Sequence, residues 1–422
     1  MGERTQSAGF APARAVKGRR TPWWRLIGPG IVSGASDNDP TTVATLAVIG
    51  STMVYALGWL VLLVIPMLAV VQAISGRIGA VGGQGLETIL RERYGRVTAI
   101  AALVAVLSVN QLTFAADAEG GAAALQLLVH VDYRWFLLPL CVGAGLAITV
   151  LDYGQAKRFL LWIPLLFLTY AAAAIVAHPH WRNVLLASFV PHVSFDKTFA
   201  AGAIALLGTT LTAYAYVWEE IEISEERPRL ERLGLVQVDA TLGTIVAGIS
   251  FWFIVIATGA TLGIHHHTVQ TAQDAARALQ PVAGRWASLL FGVGLLGSSL
   301  IALPVLAGTT AYMVAELFGY KRHTGVDFQA TPLFRNTVAA TVAIGAAIAF
   351  AGVHPIQLLF IASIAGGLAT PITLLLVMLV AHNRRLMTSY RLHAALAIAG
   401  WAVFGIVSAA AIFYLITSFA AG

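Results

Sequence analysis

Cysteine is all but absent from this chain: among 422 residues the single one is Cys141, inside an apolar run. One thiol builds neither a disulfide framework nor a cysteine-rich metal site. Charge is scarce as well, 11% of residues against 58% hydrophobic, with a mean hydropathy of +0.79. So few polar side chains cannot cover a soluble fold of this length, and the chain reads as an all-α polytopic membrane protein. Residues 1–20 hold basic side chains near their end but no apolar core and no small-residue cleavage site, so they read as no signal peptide and residues 1–22 as a cytosolic tail. A His-Glu-x-x-His motif and a paired acid and base are both missing, which argues against an enzyme; no resident cofactor is expected. The net charge of +6 belongs to a lipid-facing cytosolic surface, so the bilayer is the expected partner, with no nucleic acid and no obligatory protein partner.

Hydropathy places eleven spans at about 25–49, 52–75, 98–129, 135–151, 156–177, 199–219, 236–263, 286–317, 333–352, 355–381 and 392–418. With the N-terminus in the cytosol, the 26 Lys and Arg fall inside except Arg134, Arg182, Lys197, Arg277 and Arg285. An even number of spans would scramble that asymmetry. The expectation is an integral protein of the cell's inner (plasma) membrane with its N-terminus cytosolic and its C-terminus outside. Residues 23–422 are expected to form one transmembrane domain: repeat one at about 25–177, repeat two at about 199–381, and an extra helix at about 392–418.

What is present is organised around Gly28-Pro-Gly-Ile-Val-Ser-Gly-Ala-Ser-Asp-Asn-Asp-Pro-Thr-Thr42. Its flanks are apolar enough for lipid, yet Asp37, Asn38 and Asp39 precede Pro40 in the middle. A carboxylate near the bilayer centre costs about 2.5–3.5 kcal/mol on insertion scales, so it needs a buried polar role. Pro40 breaks the helix, and unwound backbone at this depth survives only inside protein or beside a cavity. The sixth span repeats the oddity: Gly208, Thr209, Thr210 and Thr212 lie in mid-membrane, and Trp218, Glu219 and Glu220 follow. If the first ten spans form two halves of five, the halves are inverted, and their interrupted helices one and six meet at a pseudo-two-fold site.

Asp37 and Asp39, two residues apart, point about 200° away from each other on an unbroken helix; Asp117 and Glu119 in the third span do the same. Four carboxylates in two spans with no intramembrane Lys or Arg favour a cationic substrate, a bound proton, or both. Thr209, Thr210 and Thr212 offer hydroxyls, or carbonyls should the helix open at Gly208, although Thr in membrane helices commonly bonds back to its own i−4 carbonyl. Ser298, Ser299 and Ser363 stand under the same alternative. His265-His-His267 reads as a solvated outside loop, and Glu219 and Glu220 as lining an inner exit.

These residues resemble the Nramp divalent-metal transporter family over most of 23–385. Gly28-Pro-Gly30 followed by Asp39-Pro40 matches the family's opening helix in spacing; its Asp-Pro-Gly-Asn signature stands here as Asp39-Pro-Thr-Thr42. Glu119 matches its Ala-Glu pair, while Ala116 replaces its Asp and Asp117 has no counterpart. The resemblance implies a LeuT-type bundle with a metal site between unwound helices one and six. It also places Thr212 where the family has methionine, Thr209 where it has Ala, Thr42 for its Asn, Ser363 for its span-ten Gln, and Tyr214 and Glu219 for its sixth-helix histidines. Soft sulfur selects transition metals, whereas hydroxyl oxygen and room for water suit Mg²⁺. In these changes the chain is similar to the Nramp-related magnesium transporters, a divergent branch, and proton coupling does not carry over with the lost His and Asp.

The expected function is therefore transport of a hard divalent cation, Mg²⁺ with Mn²⁺ tolerated. Asp39, Thr42, Thr209 and Thr212 hold a partly hydrated ion, and Asp37, Asn38, Asp117, Glu119, Tyr214, Glu219 and Ser363 form the surround or pathway. The alternative is a symporter of an organic solute or anion on the same fold, with Asp37 and Asp39 holding Na⁺ or H⁺.

Overall fold

The computed structural model describes residues 38–82, 85–150, 164–226, 233–320, 331–388 and 390–420. Asp37 and Gly28-Pro-Gly30 lie outside the described residues. In chain order the main helices are α1 (Pro40–Met53), α2 (Gly58–Gly82), α3 (Leu86–Tyr94), α4 (Arg96–Val129), α5 (Arg134–Val150), α6 (Pro164–Val176), α7 (Trp181–Phe189) and α8 (Lys197–Thr210). They continue with α9 (Ala213–Glu226), α10 (Leu233–Thr261), α11 (Ala272–Arg277), α12 (Ala287–Leu317), α13 (Pro332–Ala349), α14 (Pro355–Ala381) and α15 (Ala394–Ala420). Among the described residues, 8 helical stretches are long and apolar enough to cross a membrane. At the spans expected near 25–49, 135–151 and 156–177, the described helices are the shorter α1, α5 and α6.

Burial sorts the helices. In the stretch Lys197–Ile221, which joins α8 to α9, 94% of the most apolar window lies inside protein, against 22% for α15. The sixth span is thus the central pillar, and α15 a peripheral helix that turns Ile398, Ile412, Ile416 and Phe419 outward. Helix α1 is enclosed by α4, α8, α10 and α14. Its residues from Pro40 to Ala47 are buried without interruption, as expected of a helix with no lipid-facing side.

Small residues set the closest crossings, the usual device where lipid tails are as apolar as the side chains. Gly208 of α8 lies against the backbone of Ser363 and Gly367 in α14, and Gly367 in turn faces the Ile204 carbonyl. A Cβ on either glycine would collide with backbone, which cannot move aside as a flexible side chain can. Gly120 of α4 likewise lets Pro40 lie against that helix.

Overpacking of this kind costs about 1–3 kcal/mol. Gly208→Ala is expected to lower the apparent melting temperature in detergent by several degrees. Gly143→Ala in α5, where a Cβ would meet nothing within 4 Å, is expected to leave it unchanged or raised. Fluorescence-detected melting of the purified variants checks both.

Candidate functional site

Proline has no N–H to donate and disfavours helix in the residue before it, so α1 starts at Pro40. Asn38 lies in a bend and Asp39 is extended, with φ −66° and ψ 166°. As the N-cap, Asp39 faces the orphan amides of the first turn, and one carboxylate oxygen accepts the Thr42 N–H at 2.6 Å. Its other oxygen accepts the Tyr214 hydroxyl proton at 2.6 Å.

The sixth span is interrupted too, but not at Gly208. Helix α8 runs on to Thr210, and α9 begins at Ala213, leaving Leu211 and Thr212 between them. Gly208 serves the crossing with α14 and stays helical; the chain opens three residues later. There the Thr42 hydroxyl meets the Thr209 hydroxyl at 2.9 Å and reaches the Thr209 carbonyl at 3.3 Å. The Leu211 carbonyl, freed by the break, accepts the Thr370 hydroxyl proton at 3.2 Å. Thr210 follows the ordinary pattern of membrane threonines and bonds its own helix, at the Leu206 carbonyl.

A second carboxylate arrives from α4. Asp117 Oδ1 accepts the Thr41 N–H at 3.0 Å and the Thr41 hydroxyl at 2.5 Å, while its Oδ2 is buried with no hydrogen-bond partner among the described residues. Two adjacent amides at the start of α1 thus each hold a different aspartate. Charge-assisted hydrogen bonds contribute about 1.5–3 kcal/mol each. Two per aspartate are enough to offset an insertion cost of about 2.5–3.5 kcal/mol. The bonds leave the repulsion between the two charges untouched, and among the described residues no Lys or Arg pairs with either.

The remaining expected residues are spread around this centre. Asn38 is buried beside Asp39, and Thr212 is buried in the break itself. Ser363 bonds the Thr45 hydroxyl at 2.6 Å, one turn further along α1. Glu119 is fully buried, yet neither of its carboxylate oxygens has a hydrogen-bond partner among the described residues. Glu219 lies beside Gly76 of α2, about 7.5 Å beyond Tyr214 along the helix axis, and so away from the break. His265, His266 and His267 are exposed, as expected of a loop. Thr41, Thr45 and Thr370 are the residues that sequence reasoning missed; the repeated threonines of Pro40-Thr-Thr42 were the available signal for the first. A cavity of about 510 Å³ opens between the end of α4, α11 and the start of α14, lined by Gln126, His130, Tyr133, Thr271 and His354.

Residues 30–417 match the family described as natural resistance-associated macrophage protein-like, Nramp. The chain belongs to the Nramp family. Its relatives include the divalent metal cation transporter MntH of Acidiphilium cryptum, 26% identical over 414 residues that span 92% of this chain and 90% of the relative. The fold is similar to that of the Eremococcus coleocola manganese transporter, solved with an aromatic bis-isothiourea compound: TM-score 0.74, 15% identity, 95% of this chain and 88% of that one. It is also similar to Mhp1, a nucleobase–cation–symport-1 family transporter solved closed around bromovinylhydantoin: TM-score 0.58, 12% identity, 93% and 90% covered. The chain accordingly has the LeuT-type fold and is a membrane transporter, not an enzyme.

This Nramp protein carries a further buried carboxylate outside its spans. Glu87, in the first turn of α3, has no hydrogen-bond partner among the described residues for either oxygen. The Glu316 carboxylate at the end of α12 lies close by, against Gly85, and Arg91 donates to the Leu317 carbonyl at 2.9 Å. Burial first, then the charge of Glu316, pushes Glu87 up to about 9, with Arg91 pulling the other way. Between its ordinary value of 4.5 and about 9, the folded chain keeps a proton that the unfolded chain gives up, so stability falls as pH rises through that window. Melting temperatures measured from about pH 5 to about pH 9 are expected to fall more steeply for the wild type than for Glu87→Gln.

Proposed function

We propose that this chain transports a hard divalent cation, Mg²⁺ with Mn²⁺ tolerated, by alternating access. A partly hydrated ion is held at the break by Asp39, Thr42, Thr209 and Thr212. The observation that carries the reading is the donor set: carboxylate, hydroxyl and carbonyl oxygens meet where α1 starts and α8 ends, with no sulfur or imidazole among them. Thiolate and thioether ligands favour softer metals, while Mg²⁺ prefers oxygen and keeps several waters. The names of the relatives, a divalent metal cation transporter and a manganese transporter, support the substrate class.

Asp39, Thr42, Thr209 and Tyr214 are all buried, so in this arrangement the ion is occluded. Release requires α1 and α9, the part of the sixth span beyond the break, to swing against the rest of the bundle, to which Gly208 and Gly367 hold α8. The Tyr214 hydroxyl bonds Asp39 before the ion arrives and turns to one of its waters afterwards. The N-terminus is cytosolic and the C-terminus outside, in the inner membrane, which makes the cavity at His130 and His354 the outer vestibule. An inside-negative potential contributes about 2.3 kcal/mol per charge per 100 mV, enough to drive uptake without a coupled proton.

Asp39→Ala is expected to reduce Mg²⁺ uptake into proteoliposomes at least tenfold; unchanged uptake would overturn the site. Thr212→Met restores a thioether and is expected to move preference toward Mn²⁺ and Cd²⁺ by about tenfold over Mg²⁺. Competition uptake with the three ions checks this, and an unaltered order would contradict the oxygen-based account of selectivity.

A further inference from the structure

We propose that Asp117 is the second anionic ligand of the transported ion, so that Asp39 and Asp117 together clasp one dication across the first turn of α1. This rests on the reading of the site given above and adds a residue to it that the Nramp resemblance does not supply, since that pattern has its acid at position 116, where this chain has Ala116.

Three observations lead there. The Asp117 carboxylate is oriented, not loose: the Thr41 amide and hydroxyl both hold Oδ1, which fixes where Oδ2 points. Oδ2 itself is fully buried and has no donor among the described residues. A buried acceptor left unmatched is costly, and one on an anion more so, unless a proton or a cation completes it. Finally, Asp117 stands at the start of α1, where Gly120 admits Pro40, but its own backbone is tied to α12, whose Ser299 hydroxyl donates to the Asp117 carbonyl at 2.8 Å. Asp117 therefore stays at the break as a fixed wall, while Asp39 rides on the helix that starts there.

The two acids sit on consecutive amides, Thr41 and Thr42, and give the site a charge of −2 when both are ionised. One dication neutralises that charge, a monovalent ion leaves half of it, and a neutral solute leaves all of it. Charge parity thus discriminates among substrates independently of ligand softness. Asp117→Asn is close to isosteric, and its amide oxygen still accepts from Thr41, so the architecture survives while one charge is lost.

The test is calorimetric titration of the purified full-length protein with Mg²⁺ and, separately, Mn²⁺, for wild type and Asp117→Asn, alongside melting curves. The expected result is affinity for both ions weakened about tenfold or more with the melting curve retained. Affinity of Asp117→Asn within about twofold of wild type would overturn the proposal. A wild type that binds Mn²⁺ but not Mg²⁺ would sink the magnesium reading while the Mn²⁺ titration still decides Asp117; a wild type that binds neither overturns both. Should Asp117→Asn not fold, infrared difference spectra of wild type labelled with ¹³C-aspartate decide. Two aspartate carboxylates shifting on Mn²⁺ addition support the proposal, and one shifting overturns it.

Discussion

Unpaired backbone at membrane depth is the constraint from which this architecture follows. A helix that starts at Pro40 exposes amides where no water is available to satisfy them, and the chain answers with carboxylates: Asp39 on the Thr42 amide and Asp117 on the Thr41 amide. The positive end of the α1 dipole reinforces both by up to about 2 kcal/mol in a partly buried setting. What results is a pair of carboxyl groups in the interior of an apolar bundle. Helix start and acids sustain one another, because removing either leaves the other buried and unmatched.

The interruption of the sixth span complements the start of α1. Opening of the sixth span at Leu211 and Thr212 frees carbonyls, and threonine hydroxyls from α1 and α14 meet them. Amides and acids on one side, carbonyls and hydroxyls on the other, form a shell of oxygens shared by several helices. Just short of the break, Gly208 and Gly367 lock α8 to α14 backbone against backbone. A rigid crossing next to an unwound hinge is the arrangement that lets part of a helix move while its neighbour keeps register, in keeping with a LeuT-type transporter.

Much of this was legible in the sequence, for reasons that differ from residue to residue. Asp39 before Pro40 announces a capped helix start because both effects are local, and α1 begins at Pro40. That Asp117 and Glu119 turn to different surroundings follows from 100° per residue, and only Asp117 reaches α1. The sixth span opens three residues beyond Gly208, since a glycine signals close packing as well as flexibility and only the identity of its neighbour, Gly367, tells which. The Tyr214–Asp39 and Thr41–Asp117 bonds join residues 175 and 76 positions apart, and no local pattern encodes such pairs. Short helices such as α3, α7 and α11 escaped because hydropathy windows tuned to bilayer-spanning lengths average them away.

The start of α1, where two carboxyl groups take up the first backbone amides, is also where hydroxyl and carbonyl oxygens of the sixth span gather. Under the proposed function manganese is a reporter for that place, visible by its anomalous scattering. Crystals soaked in Mn²⁺ and measured at its absorption edge address the central claim most directly. The account predicts one peak within bonding reach of Asp39, between the start of α1 and the Leu211–Thr212 break. A peak confined to another part of the molecule, with Asp39 still bonded to Tyr214, would contradict it.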